Sequence, residues 1–184
     1  MPRSPAVIAV LPARLDWLEA LAQGDEVFAA RFDIPVTAEW VGFPDALPYA
    51  VQAARRMPAG DPWGTHLFFD DDGALVGFGG WKGPPVDGEV ELGYAVAPSR
   101  RGRGIATAAV CQLVERGRAA GVEVVTAHTL DVANASTSVL EHCGFALTAE
   151  VADMELGVIW RWELPLGHEA TSVRRDRLEP ADSR

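Results

Sequence analysis

Residues 89–118 of the 184-residue chain read EVELGYAVAPSRRGRGIATAAVCQLVERGR. The segment opens with a mixed polar and apolar run over 89–96 that becomes apolar at its end, which predicts a β-strand. A turn rich in arginine and glycine follows. Over about 105–118, apolar residues recur every three to four positions, which predicts an amphipathic helix. This order places the first turn of the helix beside the end of the strand.

The turn between the predicted strand and helix has the composition of an anion site. The first N–H groups of a helix have no intrahelical acceptor, and the helix dipole adds partial positive charge there. Gly102 and Gly104 allow a ligand to approach the backbone without a Cβ in the way. Arg100, Arg101 and Arg103 add full positive charges. The alternative is a solvated surface turn.

Two common phosphate-binding motifs do not match this turn. A P-loop ends in Gly-Lys-Ser/Thr, which is absent here. The dinucleotide fingerprint GxGxxG requires a third glycine, and the chain has Thr107 at that position after Gly102 and Gly104. The turn therefore predicts a site for the diphosphate of a cofactor other than a dinucleotide.

Two segments resemble the GNAT family of N-acetyltransferases. The acetyl-CoA motif of that family, Arg/Gln-x-x-Gly-x-Gly/Ala, is matched by Arg101, Gly104 and Ala106, directly after the strand ELGYAVAP. The segment NASTSVLEHCGF, residues 134–145, resembles a later family helix that ends in Gly-Phe. The resemblance covers about residues 65–164 and is closest to the branch that includes ribosomal-protein N-terminal acetyltransferases.

The resemblance implies an α/β (α+β) fold of the GNAT type. We expect a central, mixed, mostly antiparallel sheet of about seven strands, with a splayed parallel pair and flanking helices. The periodicity of the chain itself predicts strands over about 65–69, 74–78, 89–96, 122–127, 145–152 and 154–164, and helices over about 13–21, 45–56, 105–118 and 134–142. The rest of residues 1–60 reads as irregular. We expect one domain over 1–166 and a loosely ordered polar tail over 167–184.

The resemblance also implies an acetyl-CoA site without a metal. The pyrophosphate should bind the backbone of Arg101, Gly102, Arg103, Gly104, Ile105, Ala106 and Thr107. The pantetheine arm should pair like an added strand with Tyr94, Ala95 and Val96, and it should reach Asn134. The N–H group of Val96 should polarise the thioester carbonyl.

Acetyl transfer requires a neutral amine, so a base or a water relay must accept a proton. Glu91 resembles the position that many relatives use as general base. Glu89 would face the same side, and the alternative is that both are solvent-facing charges. Many relatives place a tyrosine acid where this chain has Leu140. Either Ser136 or Ser138 replaces it, or the thiolate leaves unaided, as a thiol with a pKa near about 8.5 permits.

Composition narrows the classes of partner. Sixteen basic and 26 acidic residues give a formal charge of −10, which disfavours nucleic acid and is compatible with a cationic or neutral substrate. Two cysteines are too few for a disulfide framework or a four-cysteine zinc site, which favours reduced thiols in the cytoplasm. No apolar run approaches the roughly 20 residues of a membrane span. Asp70, Asp71 and Asp72 indicate a hairpin tip rather than a metal site.

We therefore expect a cytoplasmic, acetyl-CoA-dependent N-acetyltransferase that acts by direct attack of a primary amine. The acceptor is a small molecule or a peptide N-terminus, and a homodimer is one option. The alternative is an acyl-CoA-binding sensor or a catalytically inactive partner module, because the tyrosine acid is missing. His128 lies within reach of the cleft, although a structural or surface role is favoured for it.

Overall fold

The computed structural model describes residues 6, 8–43, 45–58 and 61–167. The strands of this part of the chain are β1 (Ala9–Pro12), β2 (Thr65–Phe69), β3 (Leu75–Trp81), β4 (Glu89–Val96), β5 (Val124–Leu130), β6 (Ala146–Asp153) and β7 (Gly157–Pro165). Its α-helices are α1 (Leu15–Gln23), α2 (Asp25–Phe32), α3 (Ala46–Arg56), α4 (Ile105–Ala119) and α5 (Ala135–His142).

The seven strands form one sheet in the order β1-β2-β3-β4-β5-β7-β6. Every neighbouring pair is antiparallel except β4 and β5, which are parallel because α4 crosses between them. Pairing of β4 with β5 runs only from Glu89↔Val124 to Glu91↔Thr126, although β4 continues to Val96. The two strands therefore part, and the expected mixed sheet with a splayed parallel pair is confirmed.

Helices cover both faces of the sheet. Consecutive residues of a strand point to opposite faces, and Leu75 and Val76 of β3 belong to two different apolar clusters. The cluster of Val76 includes Leu113 of α4 and Leu140 of α5, whereas that of Leu75 includes Phe28 of α2. Burying each of these large side chains contributes roughly 1.5–3 kcal/mol. The packing holds the first turns of α4 and α5 on the same face, beside the gap.

The first sixty residues differ from the prediction in two elements. Strand β1 pairs with β2 from Ala9↔Phe69 to Pro12↔His66, where an irregular stretch was expected. Its four residues are too few to show an alternating pattern, and Pro12 is tolerated because β1 lies at the edge of the sheet. Helix α2 is also additional, and it follows α1 directly after Gly24.

The domain boundaries expected from the sequence stay a prediction. Of the expected tail, 167–184, all residues after 167 lie outside the described part of the chain. Among the helices of the described part, none combines the length and the apolar composition that crossing a membrane requires.

Candidate active site

The turn between β4 and α4 gathers backbone donors at one point. Gly104 is the N-cap of α4 with φ 79°, and Gly102 has φ 70°, both in the left-handed region that favours glycine. The N–H of Ala108 donates to the carbonyl of Gly104, so the N–H groups of residues 105–107 precede the intrahelical bonds. No side chain in the described part of the chain caps them. Three donors and the positive end of the α4 dipole thus fit a diphosphate.

The three arginines of this turn do not act as one cationic cluster. Arg100 forms an ion pair with the buried Asp70 of the β2–β3 turn, with Nη1 and Oδ2 3.1 Å apart. Arg101 donates from Nε to the carbonyl oxygen of Val96 at 3.1 Å. Within the described residues, the side chain of Arg103 has neither a hydrogen bond nor an ion pair. Of the three, only Arg100 has its charge compensated, and Arg103 is the one whose side chain is not engaged by the described residues.

The edge of β4 that faces β5 carries backbone groups beyond the last strand pair. The carbonyl of Glu91 accepts from the β3 side, and the N–H of Ala97 donates to β3. Since the bonding direction alternates along a strand, Tyr94 and Val96 direct their N–H groups toward the gap where β5 has parted. Ala95 directs its backbone to β3 instead. Of the three predicted pantetheine residues, the structure thus places two with their backbone on the open edge.

Asn134 is the N-cap of α5. Its Oδ1 accepts from the N–H groups of Ser136, at 2.8 Å, and Thr137, at 3.2 Å. The hydroxyl of Thr137 accepts in return from the N–H of Asn134 at 3.1 Å, which completes a capping box. Because Oδ1 is engaged, the Nδ2 group is the part of Asn134 available to a ligand.

Tyr94 connects the open edge of β4 to the first turn of α5. Its hydroxyl donates to the carbonyl oxygen of Ser136 at 3.1 Å. Burial raises the pKa of Tyr94, so the phenol keeps its proton. The hydroxyl of Ser136 has no hydrogen-bond partner in the described part of the chain, and Leu140 is fully buried in the core. The role of Ser136 as an acid stays a prediction.

Glu91 meets two cationic or basic side chains at the point where β4 and β5 part. Its Oε1 lies 2.9 Å from Nδ1 of His128 and also pairs with Nζ of Lys82. Burial opposes ionisation of Glu91, but the hydrogen bonds from Lys82 and His128 outweigh it and lower its pKa. The carboxylate is therefore ionised and held by two partners.

Glu89 is engaged elsewhere. Its Oε1 accepts from Nη2 of Arg161 on β7 at 2.7 Å, and Nε of Arg161 donates to Glu163 at 2.7 Å. These bonds raise the pKa of Arg161 further, so its charge is permanent. Glu89 thus contributes to an ion-pair network between β4 and β7.

A family model of the GNAT acetyltransferase domain matches residues 16–146. This chain belongs to the GNAT acetyltransferase family. GNAT domains take the acetyl group from acetyl-CoA, so the predicted family and acetyl donor are confirmed. No curated protein sequence matches the chain significantly.

Solved structures share the GNAT fold with this chain. A dodecameric spermidine N-acetyltransferase from Vibrio cholerae has a TM-score of 0.63 at 11% identity, over 86% of this chain and 94% of that one. Ribosomal-protein-S5-alanine acetyltransferase from Vibrio fischeri has a TM-score of 0.65 at 13% identity, over 94% and 96%. A putative acetyltransferase from Salmonella typhimurium, solved with acetyl-CoA, has a TM-score of 0.59 at 19% identity, over 89% and 96%.

The GNAT motif identified the turn and the strand, but not the partners of Glu91. Lys82 is the only lysine of the chain, and it reaches Glu91 from the residue after β3. His128 shares a sheet face with Thr126, which pairs with Glu91. The sequence analysis placed His128 within reach of the cleft, and alternation from a known parallel register would also have placed it beside Glu91. No signal in the sequence indicates that register.

Proposed function

We propose that this GNAT chain is an acetyl-CoA-dependent N-acetyltransferase that moves the acetyl group to a primary amine by direct attack. The acceptor is a small-molecule amine or a peptide N-terminus. One observation carries the proposal: the N–H groups of residues 105–107, which have no acceptor among the described residues, and the open edge of β4 lie at the two ends of a single turn. A diphosphate attached to an amide-containing arm requires this combination of an anion cradle and an unpaired strand edge.

The separation along β4 favours Tyr94 over Val96 as the group that polarises the thioester carbonyl. At about 3.3 Å per residue, Val96 lies roughly 17 Å from Glu91, whereas Tyr94 lies roughly 10 Å from it. The amine nitrogen must reach the acetyl carbon and the proton acceptor at the same time. We therefore assign the polarising N–H to Tyr94, and we assign the N–H of Val96 to a more distant amide of the arm.

The net charge of the chain supports a cationic acceptor. Near the gap, Lys82 and Arg161 compensate the charges of Glu91 and Glu163, and Asp153 at the β6–β7 turn adds a further carboxylate. The chain as a whole carries a formal charge of −10, which attracts protonated amines. Solved structures with this fold include enzymes named for spermidine and for a ribosomal-protein alanine, and both acceptors are amines. A homodimer stays a prediction.

The alternative of an acyl-CoA-binding sensor rests on Leu140, because a fully buried leucine cannot supply the acid of many relatives. Release of the free thiol from acetyl-CoA separates the two functions. The panel should contain polyamines, small primary amines and peptides with free N-termini, and calorimetry should measure acetyl-CoA binding beside it. We expect turnover with at least one amine. Tight binding without turnover of any amine would favour the sensor, and absence of both would refute the acetyl-CoA site.

A further inference from the structure

We infer that Nε2 of His128 accepts the proton of the attacking amine, and that Glu91 is a positioning residue that acts through the imidazole ring. This inference rests on the proposed function and deepens it by naming the proton acceptor. It reassigns the roles that the family resemblance implies, in which Glu91 itself is the base and His128 has none.

The hydrogen bond between the two side chains determines the tautomer of His128. The carboxylate of Glu91 is ionised, and an ionised carboxylate only accepts hydrogen bonds. Nδ1 lies 2.9 Å from Oε1 of Glu91, so Nδ1 must carry the ring proton. A neutral imidazole with its proton on Nδ1 has its basic lone pair on Nε2.

The side chain of His128 is only partly buried, and its Nε2 is not engaged by the described residues. The exposed fraction of that side chain is 23%. Glu91 is the weaker base of the two, because the hydrogen bonds from Lys82 and His128 to its Oε1 lower its pKa. An imidazole in water is also the stronger base, with a pKa about two units above that of a glutamate.

The position of the pair within the sheet fits the reaction. Glu91 and Thr126 are the last paired residues of β4 and β5, and His128 is two residues beyond Thr126 on the same face. The contact between Glu91 and His128 therefore lies where β4 and β5 begin to part. The N–H of Tyr94, which we assign to the acetyl carbonyl, follows a few residues later on the open edge. The side chain of His128 and the N–H of Tyr94 thus both lie at the gap between β4 and β5.

Charged groups face His128 from three neighbouring elements and from the β6–β7 turn. Glu91 contacts the ring from β4, and Lys82, the residue after β3, forms an ion pair with Glu91. Arg161, the cross-strand neighbour on β7, keeps its positive charge, but its ion pairs with Glu89 and Glu163 compensate that charge. At the β6–β7 turn, backbone N–H groups and the nearby His128 and Lys82 lower the pKa of Asp153. Glu91 is therefore the carboxylate in direct contact with the imidazole ring.

The proposed step balances without a further reactant. The amine nitrogen bonds to the acetyl carbon, and the carbon–sulfur bond breaks with its electron pair on sulfur. The proton released from the nitrogen moves to Nε2 of His128. The imidazolium then returns it to the departing sulfur or to water, so His128 is neutral again for the next cycle.

Three variants of the 184-residue chain test the assignment. His128→Asn keeps a donor toward Glu91 but has no basic nitrogen, and His128→Ala removes both. We expect both to lower kcat by about 100-fold or more, with acetyl-CoA affinity unchanged within about twofold. Added imidazole should restore part of the activity of His128→Ala. Glu91→Gln still accepts from Nδ1 and should lose less than His128→Asn. His142→Asn, on the exposed end of α5, is the control and should match wild type.

The outcomes separate this inference from the proposed function. If wild type turns over and both His128 variants keep kcat within a few-fold, the inference is wrong and the proposed function stands. A larger loss in Glu91→Gln than in His128→Asn would return the role of base to Glu91. If wild type turns over no amine, the proposed function fails and the inference fails with it. Nitrogen NMR of the ring provides a readout without turnover: a proton on Nε2 instead of Nδ1 would overturn the assignment.

Discussion

Arg101 donates from Nε to the carbonyl oxygen of Val96 at 3.1 Å, and so connects the first residue of the GNAT motif to the last residue of β4. The bond occupies the carbonyl of Val96 and leaves its N–H group on the open edge of the strand. It also holds the turn that presents the N–H groups of residues 105–107. Arg101 therefore has a structural role that Arg103 lacks.

Arg101→Ala and Arg103→Ala should affect different properties: the first should lower stability, and the second should weaken CoA binding. Loss of the bond to Val96 should lower the free energy of unfolding by about 1 kcal/mol, measured by urea unfolding. Arg103→Ala should leave stability unchanged and raise the Kd for CoA about three- to tenfold, and the effect should shrink in high salt because the contact is ionic. Equal stability losses in the two variants would contradict the distinct roles.

Gly104→Val should weaken CoA binding because it changes the binding turn, and not because it destabilises the fold. The φ of 79° strains any β-branched residue, although the nearest atom to an added Cβ is 3.9 Å away. Gly73→Val is the matched control. Gly73 has φ 77° at the β2–β3 turn, and a Cβ added there would have no atom of the described residues within 4 Å. Both variants should lose a similar stability, about 1–3 kcal/mol. Only Gly104→Val should weaken CoA binding, by about tenfold or more, and an equal effect of Gly73→Val would refute the cradle.

Asn134 has a capping role and a predicted ligand role, and two substitutions separate them. Asn134→Ala removes the N-cap of α5 and should cost about 1 kcal/mol of unfolding free energy. Asn134→Ser restores the cap but has no amide Nδ2, so it should unfold like wild type and raise the KM for acetyl-CoA. If Asn134→Ser keeps the wild-type KM, Asn134 is a cap only.

His66 should make stability depend on pH. Burial, aided by the charge of Arg116, lowers the pKa of His66 from 6.5 to about 4. The unfolded chain therefore binds the extra proton between these values, and stability that is complete above pH 6.5 is lost as the pH falls toward 4. Over this pH range, protonation of His66 in the unfolded chain lowers the free energy of unfolding by about 3 kcal/mol.

The comparison of wild type with His66→Asn isolates this contribution from those of the carboxyl groups. Asn retains a donor for the carbonyl of Gly64, which Nδ1 of His66 contacts at 3.1 Å. Urea unfolding at several pH values should show a steeper loss for wild type than for the variant. Parallel curves would show that His66 is not the titrating group.

Local patterns predicted the elements that carry their own signal. The strand over Glu89–Val96 and the helix after Gly104 follow from periodicity and from the glycines that begin the turn. Strand β1 and helix α2 were missed for physical reasons. The four residues of β1 become a strand only through pairing with β2, and α2 has Phe28 as its one buried residue. Tertiary contacts, rather than local propensity, stabilise both.

By itself the sequence determined the GNAT family and the conformation of the β4–α4 turn, because glycines at left-handed positions and a helix start act within a few residues of one another. Only the tertiary structure decided which side chains meet. Glu91 and His128 are 37 residues apart, and their contact depends on the register of two strands that do not adjoin in the chain. The same holds for Arg100 and Asp70, whose ion pair removes Arg100 from the cradle. A short turn sets the register of a hairpin, but the parallel strands β4 and β5 are joined through α4, so their register depends on how the whole sheet packs.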